Sequence, residues 1–189
     1  MPKFNVPEDV TIEDFFRDFV PKQFEETIGG VDLSFLDDAG FTLSFDIEGK
    51  KFGVKVTRDK KMEIVEGGIE KPLLEIKLTE KFWRESVTGK VEGAVDQFTD
   101  TSQISVERFE TLKGTKGTMK AELTKSDGEV VNITLIFNGE SAPEVTLRLA
   151  MEDWIAMQKK EADGTQLFMA GKIQFSGDMM FLMSLQALM

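Results

Sequence analysis

The sequence predicts an α+β protein, in which one or two antiparallel sheets are each covered on one face by helices. Three observations carry that prediction. Short runs from Phe41 onward alternate apolar and polar residues with a period of two. Stretches of helical period lie before, between and after those runs. A register of proline, strand and tryptophan also occurs twice.

Thr11 to Ile28 reads as an amphipathic helix. Thr11 can cap it with Asp14 three residues on, and Ile12, Phe15, Phe16, Phe19 and Val20 supply an apolar stripe. Pro21 is expected to kink or divide this helix, and Gly29-Gly30 to end it. Phe41, Leu43, Phe45 and Ile47 then alternate with polar residues, Glu48-Gly49-Lys50-Lys51 turns the chain, and Phe52, Val54 and Val56 alternate again. Met62-Glu63-Ile64-Val65 and Leu74 to Leu78 add two short strands, which together describe an antiparallel meander with one buried face.

The same programme then repeats. Met119 to Leu123, a Ser126-Asp127-Gly128 turn, Val130 to Phe137, a Gly139 turn and Val145 to Leu149 follow the first strand order. Counted from Pro72 and from Pro143, a strand is followed by a tryptophan at the twelfth position, Trp83 and Trp154. Phe98 would then match Phe168, and a strand over Ile104-Ser105-Val106 would match Ile173-Gln174-Phe175. The expectation is a diverged tandem duplication of two pseudo-repeats, residues 1–115 with a leading helix and residues 116–189. One continuous domain containing both is left open, and the second repeat is shortened in its third-strand region. Chance likeness between two alternating sheets is the alternative.

Composition narrows the chemistry. The chain has no Cys, His or Tyr, which excludes disulfides and thiolate chemistry and leaves only oxygen-ligand metals open. No calcium loop, P-loop, dinucleotide fingerprint or nucleophile elbow occurs, so neither metal nor cofactor is expected. A net charge of −11 opposes nonspecific attraction to nucleic acid or anionic headgroups. The N-terminus has no apolar run of a secretory signal, and a cytoplasmic protein is expected.

The last residues carry the functional information. A short alternating strand with Ile173 and Phe175 runs into Gly177-Asp178, and Asp178 is placed to cap a following segment that is apolar on almost every face. Such a helix must be buried or meet something apolar, and it is far shorter than the roughly 20 residues that cross a bilayer. Seven of the ten methionines lie after Ala150. Methionine moulds itself to irregular apolar shapes, which suits either a ligand lining or ordinary core. Trp83 and Trp154 can wall a pocket or fill the gap between sheet and helix, and Lys172 reads as a solvated residue.

Phe168, the run Gly171-Lys172-Ile173-Gln174-Phe175-Ser176-Gly177-Asp178 and the Leu/Met segment resemble the C-terminal signature of the sterol carrier protein type 2 superfamily. Val145 to Trp154 resembles that family's fourth strand running into its next helix. Thr88-Gly89-Lys90 and the residues to Phe98 resemble the link before its last strand. The resemblance covers about Thr118 to the end. It implies a noncatalytic protein that binds and carries an apolar or amphipathic small molecule, such as a fatty acyl chain, phospholipid or sterol-like compound. The cavity is expected mainly in the second repeat, lidded by the C-terminal helix and lined by Trp154, Phe168, Ile173, Phe175, Met179, Met180, Leu182, Met183 and Leu185. The partner is then an apolar ligand, not nucleic acid, with at most transient membrane contact; homo-oligomerisation stays open. Two readings of other classes also stay open. One is an interaction or oligomerisation module using the apolar terminal helix; the other is a carboxylate enzyme around Glu152 and Asp153.

Overall fold

The alternating runs build strands at the predicted places: β1 (Phe41–Ile47), β2 (Lys50–Val56), β3 (Met62–Glu66), β4 (Leu74–Leu78), β5 (Gly117–Thr124), β6 (Val130–Phe137), β7 (Glu144–Ala150) and β8 (Gln174–Gly177). They form one sheet in the order β3-β2-β1-β4-β6-β5-β7-β8 in a computed structural model that describes residues 6–91 and 104–188. The architecture is α+β, as the periodicity predicts, but the sheet is not a pure antiparallel meander. β4 crosses to the far side of β1 and runs parallel to it, and β7 does the same beside β5. Alternation states which face each strand buries; it is silent on which neighbour each strand takes.

The two halves use the same pairings. Leu43 of β1 faces Val54 across an antiparallel pair and Leu74 across a parallel one. Met119 of β5 faces Leu135 and Val145 in the same senses, and Leu74 and Val145 each stand two residues after the matched proline. The helices that follow, α3 (Glu80–Val87) and α5 (Met151–Gln158), occupy identical positions counted from those prolines. They also end alike: Gly89 N–H donates to the Ser86 carbonyl and Val91 N–H to that of Glu85, just as Lys160 N–H donates to Met157 and Ala162 N–H to Ala156.

Where the halves meet, one strand supplies what each lacks. The antiparallel β8 lies beside β7, but the matching place beside β4 is taken by β6. This corrects the strand expected over Ile104-Ser105-Val106. Ser105 instead caps α4 (Val106–Gly114), its hydroxyl accepting from the Arg108 N–H at 3.3 Å. β6 already occupies the edge of β4 that this segment was expected to join. Phe98 lies outside the described residues.

The apolar sheet face holds the core, with Ile47, Leu123, Val145 and Leu147 fully buried beneath helices. The opposite face is charged. Lys51 and Lys77 each approach both Asp46 and Glu75 at 3.5–3.8 Å across β2, β1 and β4. At the N-terminus, Thr11 caps α1 (Ile12–Asp14) by accepting from the Asp14 N–H at 3.0 Å. A π turn over Phe15–Phe19 separates it from α2 (Val20–Thr27). Pro21 has no N–H to return to the preceding turn, and the Val20 N–H donates instead to the Phe15 carbonyl. Pro21 thus widens the helix rather than breaking it.

Candidate functional site

The C-terminal end is assembled around β7. Gly177 (φ +109°) closes β8, and a Cβ there would collide with the Glu144 carbonyl. Only glycine lets β8 lie this close to the start of β7. Asp178 follows as the N-cap of α7 (Met179–Leu185), accepting from the Phe181 N–H at 2.8 Å while its own N–H donates to Glu144 at 2.9 Å. The Gly-Asp pair therefore fixes both the strand edge and the direction in which the helix leaves it.

That direction turns Phe181 and Leu185 onto the sheet, where they are 5% and 1% exposed. Phe181 meets Phe137 edge-on at 6.2 Å between ring centroids. Its Cζ lies 2.9 Å from the point where a Gly117 Cβ would stand, so Gly117 leaves the space the ring enters. Phe41 occupies the matching position in the first half. Phe181 was absent from the predicted lining. Its place three residues after Asp178 was the available signal, because a capped helix of this hand aims N3 and the residue four further on at one face.

The predicted lining residues divide by position. Ile173 and Leu185 are buried, and Trp154, Phe175 and Leu182 are half-buried against the core. Phe168, at the end of α6 (Gly164–Met169), packs on Phe175 with centroids 5.7 Å apart and is itself exposed. Met179 and Met183 stand on the outward side of α7 with Met180, which is 80% exposed; neighbouring Met169 on α6 is 82% exposed. Among the described residues, five of the seven exposed large hydrophobic side chains fall between positions 168 and 183. α7 is thus apolar on both sides, one packed and one open.

The polar residues of the segment have structural partners. Lys172 Nζ lies 2.9 Å from Asp153 and is exposed. Among the described residues no three metal-ligating side chains lie together, and no helix is long and apolar enough to cross a membrane. A cleft of about 370 Å³ between the N-terminal helix and β2–β3 is lined by charged groups already paired with each other, Arg17 with Glu66 at 2.6 Å and Lys50 with Glu13 at 3.2 Å.

A mixed sheet with helices on its apolar face and a capped apolar helix after its last strand defines the class, an α+β domain. A profile of the SCP-2 sterol transfer family matches residues 95–189, half of the chain, and the chain belongs to that family. Membership makes lipid or sterol binding and transfer its general class of function. Among solved structures, it is similar to sterol carrier protein 2 from Yarrowia lipolytica in its apo form (19% identity, 53% of this chain and 92% of that one, TM-score 0.37). It is also similar to sterol carrier protein domain 2 of Helicoverpa armigera (18% identity, 54% and 84%, TM-score 0.37). A third likeness is to sterol carrier protein 2 like 2 from Aedes aegypti (21% identity, 40% and 75%, TM-score 0.34). No curated protein matches the chain.

Proposed function

We propose that this protein is a noncatalytic carrier of an apolar or amphipathic lipid, with α7 as the lid of the binding region. The observation that carries the reading is the two-sided apolar character of α7. Phe181 and Leu185 anchor it on the sheet, while Met179, Met180 and Met183 meet solvent. A helix packed only for stability has no use for a greasy outer face, whereas a lid that hands a lipid across must contact it on both sides. Trp154, Ile173, Phe175, Leu182 and Leu185 line the inner side of the lid region; Phe168 and the three methionines form its mouth. Burying hydrocarbon contributes about 25 cal/mol per Å², so a long acyl chain needs few polar contacts. A transient encounter with a membrane supplies the lipid, and a cytoplasmic setting suits the reading. We further propose that the two halves, divided near residue 115, are diverged copies of one unit, a reading supported by their shared registers and helix endings.

Native mass spectrometry of freshly purified protein should show a bound lipid. A fluorescent fatty acid should bind the same protein and bind less tightly after Leu182→Ser. Protein that carries no lipid and ignores the fatty acid refutes the proposal. The exposure of Met169 and Met180 also favours a second reading, docking of α7 on another copy. In that case molecular mass rises with concentration, and removing residues 179–189 abolishes the rise.

A further inference from the structure

The N-terminal half contains a polar atom with nothing to bind. Trp83 is 3% exposed, and its indole Nε1 is the buried side-chain nitrogen or oxygen that lacks a hydrogen-bond partner among the described residues. Indole nitrogen only donates, and a buried donor left unpaired is costly, so folded proteins seldom keep one without a use. Phenylalanine would fill an aromatic site here without that cost.

Its surroundings are aromatic and held in place. The Phe15 ring meets Trp83 edge-on with centroids 5.5 Å apart, and Phe15 touches Phe16, which stacks on Phe52 at 4.8 Å. Both Phe15 and Phe16 sit on the π turn, a local widening that re-aims side chains and recurs at functional sites. Arg84 keeps the chain end over α3, donating to the Val10 carbonyl at 2.7 Å and to that of Glu8 at 3.1 Å. The indole is therefore fixed by its neighbours while its N–H stays unused.

The core cluster that contains Trp83 also has a strip of partly buried hydrocarbon packed against it. On the apolar face of the central strands, Leu43, Leu74, Leu78, Ile133 and Leu135 are only half-buried, while Ile47 and Ile76 on the same strands and face are buried. β4 ends at Leu78, and α3 with Trp83 begins two residues later. From β4 to β7, where α7 sits, is three strand spacings, about 14 Å.

We propose that Trp83 Nε1 is the polar anchor of the carried lipid, donating to an oxygen at its head: a hydroxyl, a carboxylate or an ester carbonyl. The hydrocarbon then runs over the half-buried strip toward the lid. This inference rests on the carrier reading and deepens it, because it selects oxygen-bearing lipids over plain hydrocarbons and brings the first half into the site.

The test uses the full chain with dodecanol and dodecane, both followed by displacement of a fluorescent fatty acid. The protein has two tryptophans, so an amide nitrogen–proton spectrum contains two indole peaks, assigned with Trp83→Phe. Dodecanol should move the Trp83 peak downfield and slow its exchange with water, and dodecane should not. Trp83→Phe should weaken dodecanol about threefold to tenfold, as expected for loss of one hydrogen bond, and leave dodecane unchanged. Dodecanol that binds without moving the peak overturns the inference and leaves the carrier reading standing, as does equal weakening of both ligands by the variant. A peak held in place by a trapped water gives the first of these results. If neither compound binds the unaltered protein, the carrier reading fails and the inference with it.

Discussion

The two halves pair their strands in the same register yet close their apolar faces differently. Over β1 and β2 the cover is aromatic: Phe16 lies against both Phe45 and Phe52, Phe15 against Trp83, and Phe109 against Phe41. Over β5 and β7 the cover is α5 together with the short α7, whose inner side is one phenylalanine and one leucine and whose outer side is methionine. Rigid rings fix a surface at little entropic cost, whereas unbranched methionine adapts to changing shapes. The difference bears on the proposed carrier function: on that proposal the aromatic N-terminal half is the stiffer wall, and α7 is the cover that lifts.

Truncating the one ring that seats that cover tests the comparison hardest. Phe181→Ala should lower stability by about 3–5 kcal/mol in urea unfolding, the usual cost of emptying a buried phenylalanine site. A loss below about 1 kcal/mol would mean that α7 is held loosely and that the asymmetry is smaller than its burial suggests. Asp178→Ala removes only the cap and should cost about 1 kcal/mol. Amide exchange should then accelerate in α7 and leave α3 untouched, since Thr79 caps that helix separately.

A third substitution sharpens the likeness rather than the difference. Lys160 holds a left-handed φ of +58° at the position matched in the first half by Gly89. Lys160→Gly should stabilise the protein by up to about 1 kcal/mol by relieving that conformation. A loss on thermal melting would show that the Lys160 side chain has a role Gly89 lacks.

The smallest effect concerns the charges that join the halves. Lys81 and Glu85 of α3 meet Glu129 and Lys125 at the β5–β6 turn, with Lys81 to Glu129 and Lys125 to Glu85 both at 2.5 Å. Hydrogen bonds from Lys81 and then Lys125 hold the Glu129 carboxyl below its ordinary value of 4.5. The bond to Glu85 raises Lys125 above its ordinary 10.5. A lowered carboxyl contributes stability that is present above its unfolded-state value and lost as pH falls through the folded one. A raised lysine contributes below 10.5 and loses its contribution as pH rises through the folded value. The urea midpoints of the protein and of Glu129→Gln should therefore differ slightly at neutral pH and converge in acid. A gap that stays constant from pH 7 to pH 3 would remove the network from the account.

Much of this was readable residue by residue. Period-two alternation places all eight strands within a few positions, because side-chain direction in a strand is a local property of the backbone. The Pro72–Trp83 and Pro143–Trp154 spacing anticipates two helices that start and stop together, and Asp178 caps where its carboxylate predicts. The site was less legible. Nothing in the order of the residues says that Met179 and Met183 stand outside α7 while Phe181 goes in, since every one of them is apolar. Nor does it reveal the unpaired Trp83 donor, which becomes visible only when the indole is buried against the ring of Phe15.

By itself, then, the sequence determined the eight strands, the caps at Thr11 and Asp178, and that the apolar sides must be hidden, because propensity, capping and periodicity act within a few residues. Tertiary structure alone decided that β4 runs parallel to β1, that β6 closes the gap beside it, that Ser105 begins a helix instead of a strand, and which side of α7 remains in water. Those outcomes depend on competition among distant segments for the same sheet edge and the same apolar surface, and the winner is set by the whole packed chain.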